Sequence, residues 1–135
     1  LVPLDKADIK REGSDVTIIA YAQGLQIALE AADKLAKEGI EAEIVDLRCL
    51  NPLDMEPAIK SFKKTFRAVV VEEGYGTYGI GAEVVAQLQE HAFDYIDAPI
   101  KRVAQKQVPL PYSQELEQSA LINAERVIEA VKEVL

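Results

Sequence analysis

The chain has 135 residues, 49% apolar and 28% charged, with a formal net charge of −8, the profile of one soluble globular domain long enough to bury a core. The acidic balance and scattered Lys and Arg argue against nucleic acid, whose binding rests on phosphate neutralisation. A single cysteine, Cys49, and a single histidine, His91, exclude an internal disulfide, fit a reducing compartment and speak against an internal zinc site.

No apolar run approaches the ~20 residues of a membrane-spanning helix. No basic-then-apolar leader opens the chain, and the start at LVPLDKAD without Met reads as a fragment or an excised domain. Residues 7–11 read as a short edge strand. The β-branched run 16–21 (VTIIAY), after the turn residues Gly13-Ser14-Asp15, predicts a buried strand. Gly24 opens a helical spacing that puts Leu25, Ala28, Leu29, Ala32, Leu35 and Ala36 on one face, with Gly39 as its stop. Residues 42–47 (AEIVDL) form the next predicted strand. Asp54 then caps a helix running to about Lys64, in which Pro57 fits the first turn.

Residues 67–71 (RAVVV) predict another strand, leading through a glycine loop into a helix over 82–92 with Ala82, Val85, Leu88 and Ala92 as its stripe. A shorter strand is predicted at 100–104. A Pro-rich connection follows, then a helix capped by Asn123 with Val127, Ile128, Val131, Val134 and Leu135 on its apolar face. Strands alternating with helices imply parallel pairing, and the all-apolar strand centres suit a sheet covered on both faces. The expected fold is α/β: a three-layer α/β/α sandwich forming a single domain over 1–135.

Residues 69–84, VVVEEGYGTYGIGAEV, carry G-x-G-x-x-G at Gly74, Gly76 and Gly79, the outline of a dinucleotide-binding turn at the ligand-binding edge of a parallel sheet. Two carboxylates, Glu72 and Glu73, stand directly before the glycines and would repel a pyrophosphate. The acidic residues at the expected distance, Asp94 and Asp97, precede the next strand and so belong to the opposite edge. The glycines therefore read as a sharp turn, with Tyr75 and Tyr78 as surface aromatics suited to a protein contact.

Glu72 and Glu73 point to opposite faces, so they make no acid/base pair, and Glu72 is expected at a solvated strand end. Asp46 and Arg48 read as an ion pair, and His91 as a cation at a helix end. Only Arg48 stands near Cys49 to activate it. No nucleophile elbow or phosphate-binding loop appears. The residues assemble no catalytic, cofactor or metal site.

Taken in order, D-L-R-x-L-x-P-L-D at 46–54, G-x-G-A-E at 79–83, and D-A-P-I-K-R-V with V-P-L-P-Y across 97–112 resemble the carboxyl-terminal domain of the beta subunit of thiamine-diphosphate-dependent 2-oxo acid dehydrogenases, most like pyruvate dehydrogenase. The resemblance covers essentially the whole chain. It implies a transketolase carboxyl-terminal fold, a mostly parallel sheet with one antiparallel edge strand. It implies that thiamine diphosphate, magnesium and the catalytic bases belong to the alpha subunit and to a preceding beta-subunit domain. The implied partners are the alpha subunit, a second beta subunit and the subunit-binding domain of a dihydrolipoyl acyltransferase. Asp97 and Leu135 are the docking candidates, and an acidic surface steers a basic partner. The implied setting is bacterial cytoplasm, or mitochondrial matrix or plastid in a eukaryote. Two stretches depart from the common pattern, residues 104–107 (AQKQ) and 74–78 (GYGTY). Other readings are a small-anion module using the helix start at 79–81, or the same domain from an acetoin, branched-chain or transketolase-like enzyme.

Overall fold

The structure, a computed structural model, describes Pro3, residues 5–106 and residues 121–135. The V-P-L-P-Y motif at 108–112 lies outside the described residues. Among the described residues five strands form one sheet: β1 (Asp8–Arg11), β2 (Val16–Ala20), β3 (Ala42–Asp46), β4 (Ala68–Tyr75) and β5 (Lys101–Gln105). Their spatial order is β1-β3-β2-β4-β5. β1 pairs antiparallel with β3, and every other pairing is parallel. The mostly parallel sheet with one antiparallel edge is thus present.

Among the described residues four α-helices complete the sandwich: α1 (Gln23–Lys37), α2 (Glu56–Thr65), α3 (Ile80–Ala92) and α4 (Ala124–Val134). Strand alternation sorts the core into two halves. Val16, Ile18, Ala20, Ile44, Val69 and Val71 pack under α1 and α4. Ile19, Val45, Ala68 and Val70 pack under α2 and α3, against Phe62 and Leu88. Burying the Val, Ile, Leu and Phe side chains among these contributes roughly 1.5–3 kcal/mol each, which is why strands buried on both faces fit here.

Several boundaries differ from expectation. β4 runs on through Glu72, Glu73 and Gly74 to Tyr75, because Tyr75 still pairs with Gln105 across an irregularity in the ladder. The buried stripe of α3 is Gly81, Val84, Leu88 and Ala92, not one beginning at Ala82 and Val85; the helix rolls to set Gly81 on the sheet. On α4, Ala130 is buried, whereas Leu135 is 47% exposed. On α1, Ala31 faces the core and Ala36 is half-buried. Asp54 accepts a hydrogen bond from Glu56 N at 3.2 Å, although Met55 is the cap residue. Asn123 caps α4 as expected, accepting from Arg126 N at 2.9 Å.

Thr17, Ser61, Thr65 and Glu43, buried beside α2, are hydrogen-bonded. Thr17 Oγ1 lies 2.7 Å from both the Ser61 and Thr65 hydroxyls. Glu43 is 3% exposed and accepts from Gly13 N at 3.2 Å and from the Lys64 ammonium. Burial pushes its pKa up, but the hydrogen bonds from Lys64, Ser61 and Gly13 and the Lys64 charge outweigh it, and the net shift is downward. A carboxyl whose folded pKa is depressed stabilises the fold above its unfolded pKa and loses that contribution as pH falls through the folded value. Glu43→Gln should therefore melt roughly 2–6 °C below wild type at neutral pH. The gap should close in acid, as the wild-type carboxyl protonates; melting curves across pH check this.

Candidate functional site

The chain order places β3 and β4 on either side of β2, so the sheet reverses direction of growth beside β2. Ligands of open parallel sheets gather at the carboxyl ends of the strands flanking such a point. Here that crevice lies between β2 and β4, and the end of β4 fills it. Glu72 points to the α2/α3 face, where it is 1% exposed, and its Oε2 accepts from Gly81 N at 2.6 Å. Glu73 is directed the other way, and its Oε1 accepts from Gln23 N at 2.6 Å. Neither α3 nor α1 has a side-chain cap from its own N-cap residue, Gly79 or Ala22. Two neighbouring carboxylates of one strand supply those caps, each set against the positive end of a helix.

This corrects the expected solvated end for Glu72. The side chain is held there by the amide donor that the helix start offers to Oε2, while Oε1 is buried with no hydrogen-bond partner among the described residues. It also corrects the small-anion reading of 79–81, since the internal carboxylate already lies at that helix start. The glycines follow from the same contact. A Cβ on Gly79 would lie 2.5 Å from the Tyr75 carbonyl oxygen and 2.6 and 2.8 Å from the Glu72 carboxylate oxygens; on Gly81 it would meet that carboxylate at 3.0 Å. Gly74 faces open space, and Gly76 makes ordinary contact. The spacing of a dinucleotide turn is present, but of its three glycines only Gly79 lies against Glu72, joined there by Gly81 outside the motif.

The crevice carries backbone strain as well. Ala22, Arg48 and Tyr78, all in loops following parallel strands, have φ of 52°, 60° and 60°. The Tyr21 phenol has its pKa raised, first by burial and then by the charges of Glu72 and Glu73. Arg102 Nη1 donates to Gly76 O at 2.6 Å and pins the loop. Tyr75 is 41% exposed, and Tyr78 fully so. Arg48 lies 4.0 Å from Asp46 but 2.8 Å from Asp8, its closer ion pair.

The opposite edge gathers the other candidates. Asp97 N donates to Phe66 O at 3.2 Å, leaving an exposed carboxylate. Arg67 Nε donates to Val134 O at 2.8 Å, and its Nη2 lies 3.6 Å from Asp97 Oδ2. The Asp97 and Leu135 positions are therefore joined through Arg67. Beside them Phe66 stacks on Tyr95, with ring centroids 6.1 Å apart and planes 8° apart, and the Lys63 ammonium sits 5.3 Å from the Tyr95 centroid. Tyr75 and Tyr78 stand at the far end of the sheet and do not join this group. Sequence reasoning missed Arg67 because its partners lie 30 and 67 positions away. His91 is exposed at the end of α3, and Cys49 is half-buried in the loop after β3. Among the described residues no three of His, Cys, Asp and Glu come together as a metal site.

The family described as "Transketolase, C-terminal domain" matches residues 5–127. The chain is 48% identical over 134 residues to "Pyruvate dehydrogenase E1 component subunit beta, mitochondrial" of Dictyostelium discoideum, covering 99% of this chain and 38% of that protein. It is 45% identical over 134 residues to "Pyruvate dehydrogenase E1 component subunit beta" of Rhizobium meliloti, covering 99% of this chain and 29% of that protein. The chain thus spans little more than a third of the length of these relatives at most. Among solved structures, "Split gene transketolase, inactive beta4 tetramer" superposes with a TM-score of 0.83 at 30% identity, covering 99% of this chain and 42% of that one.

If Glu72 is what the helix start is shaped around, Gly81→Ala should destabilise the wild type by roughly 1–3 kcal/mol. The same substitution should cost clearly less in a Glu72→Ala background. Denaturant unfolding of the double-mutant cycle checks this, and simple additivity would contradict it.

Proposed function

The chain belongs to the transketolase C-terminal domain family, and from that membership we propose that it is the assembly and partner-docking domain of the decarboxylating component of a pyruvate dehydrogenase complex. The whole enzyme would carry out thiamine-diphosphate-dependent decarboxylation of the 2-oxo acid and acylate a lipoyl group. The observation that carries the docking part is the division of labour between the two sheet edges. The carboxyl edge is occupied by Glu72 and Glu73, whereas the amino edge presents Asp97, Arg67 and the end of α4 on one exposed face.

The residues present do not fit thiamine diphosphate or magnesium. The helix start that would take a diphosphate already holds Glu72, and the described residues contain no cluster of metal ligands. No step of the chemistry is assigned to this domain. Its proposed partners are the alpha subunit, a second beta subunit and the subunit-binding domain of a dihydrolipoyl acyltransferase. The net charge of −8 favours a basic docking module. The proposed setting is bacterial cytoplasm or, in a eukaryote, mitochondrial matrix or plastid. No helix among the described residues is long and apolar enough to cross a membrane.

Calorimetric titration of the chain with that subunit-binding domain should give saturable, salt-sensitive binding. Asp97→Lys should weaken it by roughly tenfold or more; unchanged affinity would remove Asp97 from the dock. The purified 135-residue chain should show no pyruvate-dependent turnover on its own, and measurable turnover would contradict the assembly role.

A further inference from the structure

We infer that Arg67 is the positioning residue of the docking face, holding Asp97 and the end of α4 in one arrangement that a basic partner reads. The inference rests on the docking role proposed above. Arg67 occupies the turn between α2 and β4, where Phe66 takes the left-handed conformation (φ 64°, ψ 3°) and reverses the chain. Its backbone is held twice: Arg67 O accepts from Thr17 N at 2.9 Å and from Thr65 Oγ1 at 3.0 Å. A side chain rooted so firmly can serve as a fixed arm.

The arm reaches two elements, the end of α4 and the turn before β5. Nε satisfies Val134 O, one of the carbonyls a helix leaves unpaired in its last turn, and sets a cation at the negative end of α4. Nη2 approaches Asp97, whose own backbone is tied to the neighbouring Phe66. A planar guanidinium does both at once, whereas an ammonium is a single point charge. The other charges of this edge are already engaged or solvated. Lys63 lies over Tyr95, Lys101 pairs with Glu133 at 3.5 Å, and Asp94 is exposed.

The sign of the effect separates positioning from plain electrostatics. Removing a cation beside Asp97 should tighten binding of a basic partner if charge alone mattered. Positioning predicts the reverse. Calorimetry with the basic subunit-binding domain should show Arg67→Ala weakening binding about three- to tenfold. Arg67→Lys should recover part of the loss. Asp97→Asn should cost less in the Arg67→Ala background than in wild type. Equal or tighter binding by Arg67→Ala, or strict additivity with Asp97→Asn, would overturn the inference.

A partner-free measurement keeps it testable by itself. Amide hydrogen exchange in Arg67→Ala should accelerate at Asp97 and Leu135, whose N–H groups bond Phe66 O and Val131 O, while the β2 amides stay protected. Unchanged exchange at both positions would also overturn it. Absence of partner binding by the wild type would instead refute the docking role, leaving exchange to decide whether Arg67 holds the two elements together.

Discussion

Two adjacent carboxylates, Glu72 and Glu73, close β4 and each caps a helix on a different face of the sheet. Strand alternation makes this possible: neighbouring residues necessarily point apart, so one dipeptide serves α3 below and α1 above. Much of the carboxyl edge follows from it. Gly79 and Gly81 are small because the Glu72 carboxylate lies against their backbone. α3 rolls to bring Gly81 inward, displacing Ala82 from the buried stripe. Ala22, at φ 52°, turns the chain from β2 so that Gln23 presents its amide to Glu73.

The consequence for function is a domain whose two edges differ in kind. In an open parallel sheet the crevice beside the switch of strand order is where an anionic ligand would gain most from helix dipoles. Here that gain is spent internally on the fold. The amino edge is left with a solvated carboxylate, a half-buried guanidinium and stacked aromatics around the end of α4. Such a mixture of charge and exposed ring suits a protein contact better than small-molecule chemistry.

The elements were legible in the sequence because their signals are local. The β-branched run at 16–21, the strand pattern at 42–47, the stop at Gly39 and the Asn123 cap each act over a few residues, and the two strands end only one residue earlier than read. The glycine spacing was also visible, and so was the opposed direction of Glu72 and Glu73. What could not be read was where those carboxylates end up. Glu72 looks solvated in sequence because a carboxylate normally is, and only the return of α3 across the sheet buries it. Arg67 illustrates the same limit: it reads as the first residue of the strand at 67–71 until the fold brings its side chain to Val134 and Asp97. Tyr75 and Asp97 lie at opposite ends of the sheet, as the position of Asp97 ahead of the next strand already implied.

The docking role turns on which edge of the sheet meets the partner. Hydrogen-exchange mass spectrometry of the chain, alone and with the basic subunit-binding domain, maps the contact directly. Protection over residues 93–97 and the last turn of α4, with residues 73–80 unchanged, is the expected footprint. Protection centred on 73–80 and the Tyr75–Tyr78 loop, with the amino edge unaffected, would contradict it.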